Sequence, residues 1–212
     1  MDSKIKDEAL QESRFEFRVF GQKLDDAAKR MARLSMPVPE KIWERNSDEI
    51  YILSRLNDKS SVKIRDGKID IKNFVKAING FELWEPVLKE AFPIKAELLV
   101  NEILPALCIK LENSDKENYT YDEFLNLIHS YQEVLPVQVH KQRFAYFVNN
   151  TICEVAKVLI NGAEISTISS ESTKIEDIEK TIADIGLAGM ENVNYLQALK
   201  RVVGINNKTI KK

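Results

Sequence analysis

From Arg14 to Phe20 the sequence RFEFRVF alternates without a break, with Phe15, Phe17 and Val19 on one side and Arg14, Glu16 and Arg18 on the other. A period of two is the period of a strand. The same pattern predicts strands over 48–55 (DEIYILSR), 61–65 (SVKIR), 69–72 (IDIK), 80–85 (GFELWE), 137–148, 152–161 and 165–172. Asp66-Gly67 separates two of them at hairpin spacing, and Asn149-Asn150 and Asn161-Gly162 mark two more tight turns; these residue types tolerate the left-handed backbone that such turns need. Apolar positions three and four apart predict helices over 22–34, 95–107, 121–131, 175–186 and 195–203. In the first of these, Leu24, Ala27, Ala28, Met31 and Leu34 form the stripe; Pro37 and Pro39 stop it, and Pro105 ends or kinks the second. Short turns between strands exclude a doubly wound parallel sheet. The expected fold is α+β: an antiparallel eight-stranded β-barrel with helices packed outside it.

The charged positions sharpen this expectation. Lys63 and Arg65 share a strand face, as do Asp70 and Lys72, Lys141 and Arg143, and Arg14, Glu16 and Arg18, while single acids, Glu154 and Glu171, sit in the last strands. Helices need an apolar surface to cover, and Phe15, Phe17, Val62, Ile64, Ile69 and Ile71 supply one on the opposite face. The charges then point inward and enclose a polar lumen. Seven cations in a partly desolvated space require counter-charge, which a polyanion supplies. Arginine offers phosphate a planar fork and lysine a point charge. Carboxylates facing the same space suit Mg²⁺ or Mn²⁺, hard ions that prefer oxygen.

Composition narrows the classes. The chain has 212 residues, 44% of them hydrophobic, enough for one full domain with a core. One domain is expected over 14–205, with a lead-in over 1–13 and a basic tail over 206–212. Lys+Arg 31 against Asp+Glu 33 gives a formal net charge of -2, so no global field advertises nucleic acid or an acidic membrane. The polar N-terminus and the absence of a long apolar run predict a cytoplasmic protein without a membrane span. Cys108 and Cys153 lack metal-site spacing and fit a reducing compartment. His129 and His140 are too few and too far apart for a zinc enzyme. NSDKENYTYDEF, from Asn113, has a weak likeness to a calcium loop but lacks the central Gly and the final Glu. Trp43 and Trp84 read as packing residues, Trp84 also as one that borders an opening.

Taken in order, RFEFR (Arg14 to Arg18), SVKIR (Lys63, Arg65), IDIK (Lys72), GFELWE (Glu82 or Glu85), HKQRF (Lys141, Arg143), ICEV (Glu154) and SSES (Glu171) resemble the triphosphate tunnel metalloenzyme, or CYTH, superfamily. That superfamily opens with an ExExK strand and continues through basic strands to closing strands that each carry an acid. The closing GLAGMENVNYLQAL is similar to its C-terminal segment. The resemblance implies a metal-dependent phosphohydrolase acting on inorganic triphosphate, polyphosphate or an organic triphosphate. Arg14, Arg18, Lys63, Arg65, Lys72, Lys141 and Arg143 are then the phosphate ligands. Glu16, Glu154 and Glu171 are the catalytic acids and, with Glu82, the ligands of Mg²⁺ or Mn²⁺. The chain departs from the pattern at Arg14, where the superfamily has its first glutamate, and at Arg18, where it has lysine. Losing a ligand to a cation weakens metal binding, so a polyphosphate-binding module without turnover is the alternative, and a cyclase acting on ATP a third.

Overall fold

The computed structural model describes residues 13–111 and 116–205. Residues 1–12 of the expected lead-in, the expected tail over 206–212 and residues 113–115 of the weak calcium-loop motif lie outside the described residues.

Eight strands close into a barrel: β1 (Arg14–Gly21), β2 (Glu44–Ser54), β3 (Ser60–Arg65), β4 (Lys68–Ile78), β5 (Phe81–Ala91), β6 (Val134–Val148), β7 (Thr151–Ile160) and β8 (Ala163–Ser172). Around the barrel the order is β1-β8-β7-β6-β2-β3-β4-β5, every neighbour antiparallel. Closure between β5 and β1 rests on the pairs Arg14↔Trp84, Phe15↔Leu83 and Glu16↔Glu82. Beyond them β1 has no strand partner on that side. There Val193 N–H donates to Arg18 O (2.7 Å), and the Asn192 side chain accepts from Arg18 N–H (2.8 Å) while donating to Glu16 and Gly80 carbonyls.

The three anticipated turns form with positive φ at both central residues: Asp66-Gly67, Asn149-Asn150 and Asn161-Gly162. A fourth of the same kind, Asn79-Gly80, joins β4 to β5. It makes those two strands longer than the 69–72 and 80–85 read from the sequence, because pairing continues through Phe74, where the ladder carries irregularities and apolar alternation is broken.

Six helices pack on this barrel among the described residues: α1 (Asp25–Leu34), α2 (Glu40–Trp43), α3 (96–106), α4 (Tyr121–His129), α5 (Ile175–Asp184) and α6 (Tyr195–Val203). The middle of α3, Leu99–Ile103, is π-helical, with Leu104 N–H donating to Leu99 O. Pro105 lacks an N–H and crowds the preceding turn, so the wider turn ahead of it accommodates the ring and the helix ends at Ala106. Thr120 and Glu123 form a capping box that starts α4. No helix among the described residues is long and apolar enough to cross a membrane.

Two cores lie outside the barrel wall. Val62, Ile64, Ile69 and Ile71 pack under α3 and α4 through Leu99, Ile103, Phe124 and Ile128. Phe17, Val19 and Ile168 pack under α1 and α5 through Ala27, Met31, Ile178 and Ile182. Leu34, expected on the buried stripe of α1, is 47% exposed at the end of the helix. A third core joins Leu196 and Leu199 of α6 to Tyr51, Leu53, Val137, Val139, Ala156, Val158 and Ile160. By strand alternation these belong to the same faces as Glu49, Lys141 and Glu154, so α6 seals one mouth of the barrel. Burying each leucine contributes about 2 kcal/mol to that seal. Lys200, buried on the far side of α6, ties it to the β2–β3 turn by donating to Asn57 O (2.6 Å) and Asp58 Oδ1 (2.7 Å).

Candidate functional site

Above the sealed mouth the inward faces carry charge. Glu16 and Arg18 of β1, Lys63 and Arg65 of β3, Lys72 of β4, Lys141 and Arg143 of β6, Glu154 of β7 and Glu171 of β8 line one cavity of about 150 Å³. Nine of the sequence-predicted residues thus meet in one place. A second pocket, of about 430 Å³, shares Arg143, Glu154 and Glu171 and is bordered by Lys41, Ile42, Glu44 and Arg45, so the space continues toward the open mouth.

Two predicted residues sit elsewhere. Arg14 is paired opposite Trp84 and does not line the cavity. Glu82 shares the inward face with Glu16, which settles the choice against the exposed Glu85, but its Oε2 is taken by Trp84 Nε1 and Asn194 Nδ2, each at 2.9 Å. It orients those two side chains rather than lining the cavity.

The sequence reading missed Glu49, Tyr51, Asp70 and Tyr195 as site residues. Glu49 is the hub of the basic cluster. Its side chain is fully buried and accepts from Lys141 Nζ (2.9 Å), Lys63 Nζ (3.3 Å) and Ser47 Oγ (3.2 Å), with Arg65 at 3.8 Å. Burial alone raises a carboxyl pKa, but Lys141, Lys63 and Arg65 outweigh it and hold Glu49 well below the usual range. Burial, then the neighbouring Lys63 ammonium, brings Lys141 down to about 7, with Glu49 opposing. Asp70 takes Arg65 Nη2 at 3.3 Å. The alternation Ser47, Glu49, Tyr51 against Asp48, Ile50, Ile52 was present in the sequence; a helical residue such as Tyr195 has no such periodic signal.

The acids on the other side form a second group. Glu154 accepts from Arg18 Nη1 and Arg143 Nη1, both at 3.1 Å, and Arg18 Nε also donates to Glu16. Against its burial, these two guanidinium groups keep Glu154 below the usual range. Glu171 stands directly opposite Glu16 across the β1–β8 ladder and forms no ion pair among the described residues. Burial, and then the Glu16 charge, pushes Glu171 up to about 7. Two facing carboxylates, one of them short of counter-charge, are oxygen donors of the type Mg²⁺ or Mn²⁺ takes. Among the described residues no group of three acids, histidines or cysteines is preassembled for a metal, and Glu154 is occupied by its arginines.

No protein-family model matches the sequence, and no curated protein matches it. Solved structures do. A Bacillus halodurans protein described as a candidate adenylate cyclase superposes with a TM-score of 0.50 at 10% identity, over 88% of this chain and 97% of that one. A Hippeastrum protein, described as a candidate adenylyl cyclase with a dominant triphosphatase activity, gives a TM-score of 0.48 at 14% identity, over 89% of this chain and 96% of its own. A conserved Pyrococcus furiosus protein gives 0.48 at 14% identity, over 86% and 98%. At 10% identity the likeness to the Bacillus halodurans protein shows the fold alone, and the closed eight-stranded barrel is the tunnel fold anticipated from the order of the motifs.

Proposed function

We propose that this chain, with a barrel of the CYTH tunnel fold, binds a short phosphate chain as its divalent-metal complex and hydrolyses a phosphoanhydride bond within it. The observation that carries the reading is the interleaving of charge in one cavity. Six cations (Arg18, Lys63, Arg65, Lys72, Lys141, Arg143) line it together with Glu16, Asp70, Glu154 and Glu171, and Glu49 pairs with three of those cations. A bare polyanion entering there meets four lining carboxylates, and a bare metal ion meets the six cations. A metal–triphosphate unit suits both: the cations would hold phosphate oxygens, and Glu16 and Glu171 would hold the metal. The bound ion supplies neutralisation of charge on the phosphate oxygens. The chain's own residues hold and orient the phosphates, which accounts for much of catalysis in phosphoryl transfer.

The test is titration calorimetry of tripolyphosphate with and without Mg²⁺ or Mn²⁺, beside phosphate release from tripolyphosphate, polyphosphate, thiamine triphosphate and ATP. Binding at least tenfold tighter with the metal, accompanied by phosphate release, is expected; absence of binding under both conditions overturns the reading. Arg14, where a glutamate is expected, favours a second reading in which the barrel binds without turnover. Tight binding, no phosphate release, and turnover gained in Arg14→Glu would select it. Cyclic AMP formed from ATP would instead point to a cyclase, the activity named for the Bacillus halodurans neighbour.

A further inference from the structure

The outer wall of the barrel carries a concavity of its own, of about 690 Å³. It crosses β7, β6, β2 and β3, from the Asn161-Gly162 turn to the Asp66-Gly67 turn. The ladder sets its floor: Leu159 of β7 stands beside His140 of β6, His140 beside Asp48 of β2, and Ile50 of β2 beside Ile64 of β3. Asp48 and Ile50 flank the inward Glu49, and His140 precedes the inward Lys141, so this row faces away from the lumen. Leu159 is 37% exposed there and Ile50 is half-buried.

The polar groups along the row are chiefly acidic. Asp48 Oδ1 lies 2.8 Å from His140 Nδ1, and the Asp48 side chain is 90% exposed. Asp66, at the far end, is exposed as well and accepts from Arg45 Nη2 at 2.6 Å. An apolar strip between exposed carboxylates suits an extended segment that carries an apolar side chain among cations.

The chain supplies such a segment. After α6, residues 206–212 read NNKTIKK, with Ile210 between Lys208 and Lys211-Lys212 and no acid. The described chain ends close to the groove: Ile205 packs in one apolar cluster with Val139 and Ile160, while Val139 and the neighbours of Ile160, Leu159 and Asn161, border the groove. Seven extended residues span about 23 Å. Crossing from β7 to β3 takes three interstrand steps, about 14 Å.

We propose that residues 206–212 dock along this groove, with Ile210 on the apolar strip and the lysines toward Asp48 and Asp66. The segment then straps β7, β6, β2 and β3 together on the side of the wall opposite Glu49 and Lys141. The proposal stands whether or not the lumen binds phosphate.

The experiment follows trypsin cleavage after Lys208 by mass spectrometry in the full chain, beside a free peptide of residues 204–212. Asp48→Lys and Ile210→Ser are treated in the same way, each against the peptide of its own sequence, and thermal melting checks that each protein is folded. Cleavage of the wild type is expected to be at least about tenfold slower than that of its peptide, because proteolysis follows the population of the undocked form. Both variants are expected to lose most of this protection, and Ile210→Ser leaves every residue of the barrel unchanged. Equal rates for the wild type and its peptide overturn the proposal, and need no variant. Protection that persists in both variants overturns it too, since the segment then lies elsewhere. Protection that grows with protein concentration assigns the segment to the groove of a second copy and also overturns it.

Discussion

The two ends of the barrel interior are built by the same strands and have opposite chemistry. Along β2 the inward positions run Ser47, Glu49, Tyr51, Leu53; along β6, Arg143, Lys141, Val139, Val137; along β7, Glu154, Ala156, Val158, Ile160. In each case charge near the open mouth gives way to hydrocarbon near the mouth that α6 seals. The apolar end stabilises the fold by removing area from water. At the charged end, desolvation of Glu49, Lys141 and Arg18, each no more than 4% exposed, costs much of what their mutual attraction returns. One end of the same barrel is a core, and the other is a site held in readiness for a ligand that completes its charge pairing.

That contrast can be broken from either side. At the apolar end, Leu199→Ala should cost about 4 kcal/mol of unfolding free energy in a denaturant titration, since Leu199 is fully buried and the surrounding strands cannot collapse into the space. The loss should be the same with and without tripolyphosphate; a cost below about 1 kcal/mol would mean that α6 does not seal the barrel as a core element. At the charged end, Glu49→Gln should cost about 3 kcal/mol, because Lys141, Lys63 and Arg65 lose their common counter-ion while the amide oxygen keeps part of the hydrogen bonding. Here the loss should shrink when tripolyphosphate is added, since phosphate replaces the missing charge. Equal loss in both conditions would show that the cations of this cluster do not meet the ligand.

The charged end was the legible one. Alternation placed Arg18, Lys63, Arg65, Lys141, Arg143, Glu16, Glu154 and Glu171 on inward faces, because a charge every second residue on strands that also need an apolar outer face leaves one geometry. Val62 and Ile64 carried the matching signal for the outer face. The apolar end was not legible: Val137, Val139, Val158 and Ile160 face inward, but in the sequence they are the same residue types as the outward Val155 or Ile64. Only the docking of α6 tells them apart, and that is a contact between elements far apart in the chain. Tyr195 was hidden for the same reason. Glu82 faced the right way, yet the bonds from Trp84 and Asn194 that withdraw it from the cavity come from a neighbouring position and from the segment before α6. Arg14 continued the alternation but sits at the last pair of the closure, short of the cavity.

The finest distinction between the two ends is their response to pH, since the sealed end is lined by hydrocarbon among the described residues, whereas Glu171 faces Glu16 near the mouth. Burial and the Glu16 charge place the folded pKa of Glu171 at about 7, above the value of about 4.3 expected when unfolded. A carboxyl that holds its proton more tightly in the folded state destabilises that state on ionising. The penalty is complete above pH 7 and falls away as the pH drops through 7 toward the unfolded value. Glu171→Gln should therefore be more stable than the wild type by about 2 kcal/mol at pH 8 without divalent metal, the full shift being discounted for partial solvation. By pH 4, below the unfolded value, the difference should nearly vanish. Titration of Lys141 in the same range is common to both proteins and cancels in the comparison. Saturating Mg²⁺ or Mn²⁺ should close the gap at pH 8 as well, because a cation between Glu16 and Glu171 does what the proton does at low pH. A gap that stays the same at pH 4 and pH 8 would mean that Glu171 finds its counter-charge within the protein, and that the mouth of the barrel is as self-sufficient as its floor.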